Sequence, residues 1–160
     1  MRCVIQDVAD AKVTVDGSVV GRIGRGMLVY FGVQKGDTEQ ELAWITDKIA
    51  KERIFHDANG KTNLSIIDVH GEILLVSQFT LCADLRKGNR PSYDYSEEPE
   101  KAEAMYRKAI DLLRGKGIPV EHGSFGAHML VSYTNIGPQT FVLEKTPACT
   151  DSAKRTVIAK

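Results

Sequence analysis

Ten residues, Glu72-Ile73-Leu74-Leu75-Val76-Ser77-Gln78-Phe79-Thr80-Leu81, constrain the fold of this chain more than any other stretch. The first half is a continuous apolar run rich in branched side chains. It is short for a helix and well matched to a buried strand. A hydroxyl, an amide, an aromatic ring and a second hydroxyl then follow in consecutive positions. Continued as a strand, the segment places Ser77 and Phe79 on one side and Gln78 and Thr80 on the other. A greasy strand that turns polar at its exit brings hydrogen-bonding groups to the rim of a core, where a shallow site can stand on a rigid element. Taken alone, the pattern equally describes a core strand that ends.

The rest of the chain supplies neighbours for that strand. Arg2 to Val8 alternates and reads as a first strand, and Lys12 to Val15 and Ser18 to Val20 flank Asp16-Gly17, a strong hairpin signal. Gly21 to Gly26 reads as a glycine-spaced turn into Met27 to Val33, apolar on both faces and so a central strand. Those glycines lie between a hairpin and a strand, whereas a dinucleotide fingerprint must open a helix, so no such cofactor is expected. Asp37 and Thr38 can cap a helix running to about Lys51, with Leu42, Ile45 and Ile49 on its buried face and Trp44 as packing. Ser96 can cap a second helix, with Glu97 and Glu98 set against its dipole. Its apolar face is Ala102, Met105, Tyr106, Ala109, Leu112 and Leu113, and Gly115 or Gly117 ends it. Val120 to His122, Met129 to Asn135 and Thr140 to Glu144 read as strands. Two main helices among many hairpin-type strands predict an α+β fold with a mainly antiparallel, barrel-like sheet. Residues 1–144 read as a single domain, and 145–160, which lack a strong pattern, as a mobile tail.

With 21 Lys+Arg against 21 Asp+Glu, the 160 residues carry no net charge, which argues against a protein that coats nucleic acid by grip on phosphates alone. It leaves room for an enzyme that touches a nucleic acid briefly. Cys3, Cys82 and Cys149 are odd in number and lack C-x-x-C spacing, as expected of free thiols in a reducing compartment. The four histidines are scattered, so no metal site is expected. Met1 to Asp7 has no signal-peptide hydrophobic region and no apolar run approaches membrane-spanning length, so the cytoplasm is the expected location.

Common catalytic constellations are missing. No G-x-S-x-G elbow exposes Ser77 or Thr80, and nothing local places His122 or His128 beside them. An enzyme built here must work by positioning and by backbone dipoles. Two loops invite attention. Asn135-Ile136-Gly137-Pro138-Gln139-Thr140 joins two strands and reads as a sharp turn, at one of the few bonds where a cis peptide costs only about 0.5–1 kcal/mol. Gly123 to Met129 is a small-residue loop, which serves either as a tight connection or as an approach for a planar ligand.

Taken in order, these stretches resemble the D-aminoacyl-tRNA deacylases. The resemblance rests on Ser77-Gln78-Phe79-Thr80-Leu81, Arg86-Lys87-Gly88-x-Arg90-Pro91-Ser92, Phe125-Gly126-Ala127-x-Met129 and Asn135-x-Gly137-Pro138-x-Thr140. The opening hairpin and Gly60-Lys61-x-Asn63-Leu64 match too, so it covers nearly the whole chain to about Leu143. It implies a homodimer that hydrolyses the ester joining a D-amino acid, or glycine mischarged on tRNA-Ala, to the 3′ end of tRNA. By the same resemblance Ser77, Gln78, Phe79 and Thr80 form the catalytic pocket wall, and Phe125, Gly126, Ala127 and Met129 receive the terminal adenosine. Gly137 and Pro138, joined by a cis bond and reaching into the partner subunit, reject L-amino acids. Arg86, Lys87 and Arg90 read equally as a phosphate patch or as a solvated loop.

Two positions depart from the family pattern. Asp7 stands where Arg is usual, and Gln139 where an apolar residue is usual. They keep open a deacylase of altered specificity, or a non-catalytic RNA- or nucleotide-binding module of the same fold.

Overall fold

The computed structural model describes residues 1–147. Strand β1 (Arg2–Val15) runs through the hairpin arm that the sequence divides in two, and turns at Asp16-Gly17 into β2 (Ser18–Ile23). β3 (Gly26–Gly32) returns along the first half of β1. After α1 (Glu39–Lys51) come the short strands β4 (Phe55–His56) and β5 (Thr62–Leu64), which pair with each other. β6 (Glu72–Ser77), α2 (Pro99–Arg114), β7 (Val120–His122) and β8 (Leu130–Glu144) complete the chain. The main sheet runs β2-β1-β3-β6-β7, with β8 on the remaining edge of β1.

The α+β class, the two helices and the barrel-like sheet are as the sequence predicts, but the middle of the sheet is parallel: β6 runs alongside both β3 and β7. Parallel strands are covered on both faces, which is why β3 and β6 read as unbroken apolar runs. One face carries the larger core, with Met27, Val29, Ile73 and Leu75 against Leu42, Ile45, Ile49, Ala109 and Leu113 of the helices. Leu28, Leu74 and Val76 point the other way and meet Val8, Val13 and Ile23 inside the curved sheet. The sheet nearly closes where β2 meets β7. A β-carbon on Gly21, which lies inside β2 and not in a turn, would stand 2.5 Å from the His122 carbonyl oxygen.

α1 starts where its cap predicts. The Gln40 N–H donates to Thr38 Oγ1 at 3.2 Å, and Glu41 Oε2 accepts from the Thr38 N–H at 3.0 Å and from its hydroxyl at 2.6 Å. The Thr38 hydroxyl holds the Glu41 carboxyl below its ordinary range. Thr38→Ala should cost about 1 kcal/mol in chemical denaturation at neutral pH. Because the folded-state pKa of Glu41 is depressed, that contribution is present above the unfolded carboxylate pKa. The gap from wild type should therefore shrink as pH falls through the carboxylate range.

α2 differs from expectation. It begins at Pro99 with Glu98 at the cap and no side-chain cap bond. Proline lacks the N–H that a first turn leaves unpaired, so the helix starts there. The Ser96 hydroxyl donates instead to the Phe79 carbonyl at 3.2 Å. β8 differs as well. It runs antiparallel to β1 along its whole length, with Val8 opposite Asn135 and Gln6 opposite Thr140. Residues 136–139 therefore bulge out of a continuing ladder opposite Asp7, where the sequence suggests a chain reversal. Of the expected tail, the Lys145 N–H bonds the Met1 carbonyl at 2.9 Å and its ammonium lies 5.5 Å from the Trp44 ring centroid. Residues 148–160, Cys149 among them, lie outside the described residues.

Candidate active site

β6 carries the chain to the rim of a cavity of about 820 Å³. The strand stops at Ser77, not Leu81. The Gln78 N–H makes a last bond to the Phe31 carbonyl at 2.8 Å, and residues Phe79–Cys82 coil into a 3-10 turn. The alternation expected for Ser77 to Thr80 is thereby lost. Ser77, Gln78 and Phe79 all line the cavity, and Thr80 does not. The coil has a chemical consequence. The N–H groups of Phe79 and Thr80 open the turn and have no partner within it, as at any helix start. The Phe79 ring is 58% exposed and meets Tyr93 edge-on with centroids 4.9 Å apart.

The facing wall is the loop after β7. Phe125, Gly126, Ala127 and Met129 line the same cavity. The Gly123 N–H anchors the loop to the Leu75 carbonyl at 3.0 Å, and the Ala127 N–H closes it on Ser124 at 3.2 Å. Phe125 rests on Tyr106, centroids 5.9 Å apart, and the Tyr106 hydroxyl donates to the Leu75 carbonyl at 2.7 Å. Burial pushes the Tyr106 hydroxyl well above its ordinary pKa. Tyr30, on the β3 side, is raised to about 12, by burial first and then by Tyr133. Both phenols are neutral at any pH near 7, so they shape the cavity and donate hydrogen bonds. Tyr30, Tyr93 and Tyr106 line it although the sequence motifs do not include them, and so does His128, the open position of Phe125-Gly126-Ala127-x-Met129. Only the helical spacing of Tyr106 marks it beforehand, and that spacing marks it as core. His128 is exposed at the rim, while His122 sits in β7 with Nδ1 2.9 Å from the Gly123 carbonyl, off the cavity lining.

The remaining predicted residues lie elsewhere. Arg86 bonds Asp84 through two nitrogens, at 2.8 and 2.7 Å, and reaches the Tyr95 hydroxyl at 3.1 Å. That guanidinium holds the Asp84 carboxyl down at about 2. Arg86 is thus committed to its own loop, while Lys87 and Arg90 are exposed; none of the three lines the cavity. Gly137 and Pro138 are exposed and also outside the lining, and the bond between them is cis. Asn135 pins the loop at its neck, where Nδ2 donates to the Asp7 carbonyl at 2.9 Å and the Gln139 carbonyl at 3.0 Å. Among the described residues no group of His, Cys, Asp and Glu could hold a metal, and no helix is long and apolar enough to cross a membrane.

Comparison with known proteins places this geometry. Residues 4–144 match the family model for D-Tyr-tRNA(Tyr) deacylase. Proteins named D-aminoacyl-tRNA deacylase from Thermotoga petrophila and Desulfitobacterium hafniense are 49% and 53% identical. The first aligns over 91% of this chain and 98% of its own length, the second over 90% and 97%. A solved c-Myc DNA Unwinding Element Binding Protein is 40% identical and superposes with a TM-score of 0.88, over 92% of this chain and all of its own. A probable eukaryotic D-amino acid tRNA deacylase shares the fold at 19% identity and a TM-score of 0.77, over 89% of this chain and 97% of its own. With a family match across nearly all the described residues and relatives at half identity along their full length, this chain belongs to the D-Tyr-tRNA(Tyr) deacylase family of hydrolases.

Proposed function

We propose that this chain hydrolyses the ester between a D-amino acid and the 3′ end of tRNA, and acts likewise on glycine mischarged on tRNA-Ala. The observation that carries the reading is a cavity lined by Gln78 and by Phe79, the residue that opens the 3-10 turn, with no base-and-nucleophile pair among its lining side chains. Water adds to the ester carbonyl, the oxyanion is received by the Phe79 N–H and the Gln78 amide, and the C–O3′ bond breaks as O3′ takes up a proton. Such a site accelerates by holding ester and water in place and by offering fixed dipoles to the developing charge. The vicinal 2′-hydroxyl of the RNA handles the proton. The loop from Phe125 to Met129 receives the adenine, and the exposed Lys87 and Arg90 steer the acceptor phosphates.

The active form in this proposal is a homodimer in the cytoplasm. Its support is geometric. Gly137 and Pro138 project from β8, whose outer edge takes no partner among the described residues, and they do not line their own cavity. Leu130 and Val142 on that strand are 61% and 68% exposed. Set in a partner's cavity, the loop leaves no room for an L side chain, so the enzyme discriminates by clash against the wrong hand. Incubation with D-Tyr-tRNA and L-Tyr-tRNA tests the reading: the D-ester should be lost and the L-ester spared.

A second reading is nucleic-acid binding without turnover, whose binding half is favoured by the name of the 40%-identical structure, a DNA unwinding element binding protein. Stable D-Tyr-tRNA in the presence of folded, saturating protein would establish it. On the hydrolytic reading no side chain attacks the ester, so Ser77→Ala and Thr80→Ala should each slow single turnover by less than about tenfold. A trapped acyl-enzyme on either hydroxyl would show a side-chain nucleophile instead.

A further inference from the structure

Asp7 has no solvent exposure, and nothing in the hydrolytic geometry uses its charge. A carboxylate in the interior is strongly unfavourable unless it is paired and hydrogen-bonded. Arg25, in the turn between β2 and β3, supplies both. Its Nη1 bonds Asp7 Oδ1, and Nη2 stands 3.3 Å from Oδ2. The guanidinium also lies over the Phe55 ring, 5.1 Å from its centroid. The next residue of β4, His56, accepts at Nε2 from the Gln139 side-chain amide at 3.4 Å. The Gln139 carbonyl shares Asn135 Nδ2 with the Asp7 carbonyl. These contacts form a closed ring: Asp7, Arg25, Phe55 and His56, Gln139, Asn135, and Asp7 again. The ring runs through Asn135 and Gln139, at the two ends of the loop.

Asp7 is also one of two residues, with Ala9, at which the β1–β8 ladder skips, and the one that faces residues 136–139. It pairs with Met27 on the β3 side and has no opposite residue in β8. On that side the Asn135 amide replaces the ladder bond. Whatever fixes the Asp7 backbone therefore fixes the point from which the loop departs.

We propose that Asp7 is a positioning residue for the Gly137-Pro138 loop: its ion pair with Arg25 sets the angle at which the loop leaves β8, and stereochemical discrimination depends on it. This rests on the reading of that loop as the chiral filter. The carboxylate itself never touches the substrate, and Gln139 and His56 brace the far side of the neck.

The test is the ratio of single-turnover rates on D-Tyr-tRNA and L-Tyr-tRNA for Asp7→Asn, Arg25→Gln and the double variant, each checked for folding. Asp7→Asn keeps the volume and an acceptor, and Arg25 is partly exposed, so Arg25→Gln serves where Asp7→Asn does not fold. Each single change should lower the ratio about tenfold, and the double should lower it no further, since the two side chains act as one unit. The swapped pair Asp7→Arg with Arg25→Asp should recover part of the loss, which a general loss of stability would not allow. A folded Asp7→Asn or Arg25→Gln protein with the wild-type ratio overturns the proposal, as does a double variant whose loss is the product of the singles. Gly137→Ala run alongside separates two failures. If it abolishes discrimination and the Asp7 and Arg25 variants do not, only the positioning role falls. If it leaves discrimination intact, the filter reading falls and the positioning role falls with it.

Discussion

Gly137→Ala should cut single-turnover hydrolysis of D-Tyr-tRNA about a hundredfold while leaving the protein folded. Gly137 sits at a φ of +105°, a region in which an L side chain costs about 1–3 kcal/mol. The added β-carbon would also stand 2.9 Å from Gln139 Cγ and 3.0 Å from the Gln139 nitrogen. The second contact is backbone, so a rotamer change cannot relieve it and the loop itself must shift. Residues 136–139 already stand outside the β1–β8 ladder, so the shift leaves the sheet intact. What it spoils is the placement of Gly137 and Pro138, which in the proposed dimer enter the partner's cavity. A displacement of about 1 Å in a site that works by position is enough for the stated loss. Stopped-time deacylation assays, with circular dichroism to confirm folding, read both quantities. An unchanged rate together with unchanged chirality would place the filter elsewhere.

The second large effect belongs to the substrate. D-Tyr-tRNA ending in 2′-deoxyadenosine, charged on the 3′-hydroxyl, should bind normally and react about 10²–10⁴-fold more slowly in single turnover. The reason lies in the protonation states around the cavity. Tyr30 and Tyr106 hold their protons far above neutrality, and Ser77 has no base beside it among the lining residues. His128 is the one lining imidazole among the described residues, and it stands exposed at the rim. If the deoxy substrate reacts at the normal rate and His128→Ala does not, the proton-handling role passes from the RNA to that histidine.

The sequence is most legible where local chemistry decides. The Thr38–Glu41 cap, the Asp16-Gly17 turn and the buried character of β6 all appear as read, because each depends on neighbours along the chain. It is least legible where a distant element decides. β6 gives way to the Phe79–Cys82 turn after its last bond, from the Gln78 N–H to Phe31, and Ser96 leaves its expected cap for Phe79; neither partner can be chosen from spacing. Gly137-Pro138 is visible as an irregularity, but whether it reverses the chain or bulges from it depends on the register against β1. Asp7 and Gln139 stand out as departures from a family pattern with nothing in the sequence to join them. The connection runs through Arg25, which in sequence is only a residue between two glycines.

The pairing of β8 along β1 ties residues 2–14 to residues 130–144. During synthesis the first strand emerges early and its outer edge must wait for nearly the whole chain before its final partner exists. Joining such remote segments is slow, because the entropy of closing the loop is lost before the contacts that repay it can form. Until then β1 offers unpaired N–H and C=O groups to any passing strand, a recognised route to misassembly. Gly137 and Pro138 ride on the last strand, so a nascent chain acquires its cavity walls before it acquires the loop proposed to judge handedness, and the two come under one control only when β8 docks.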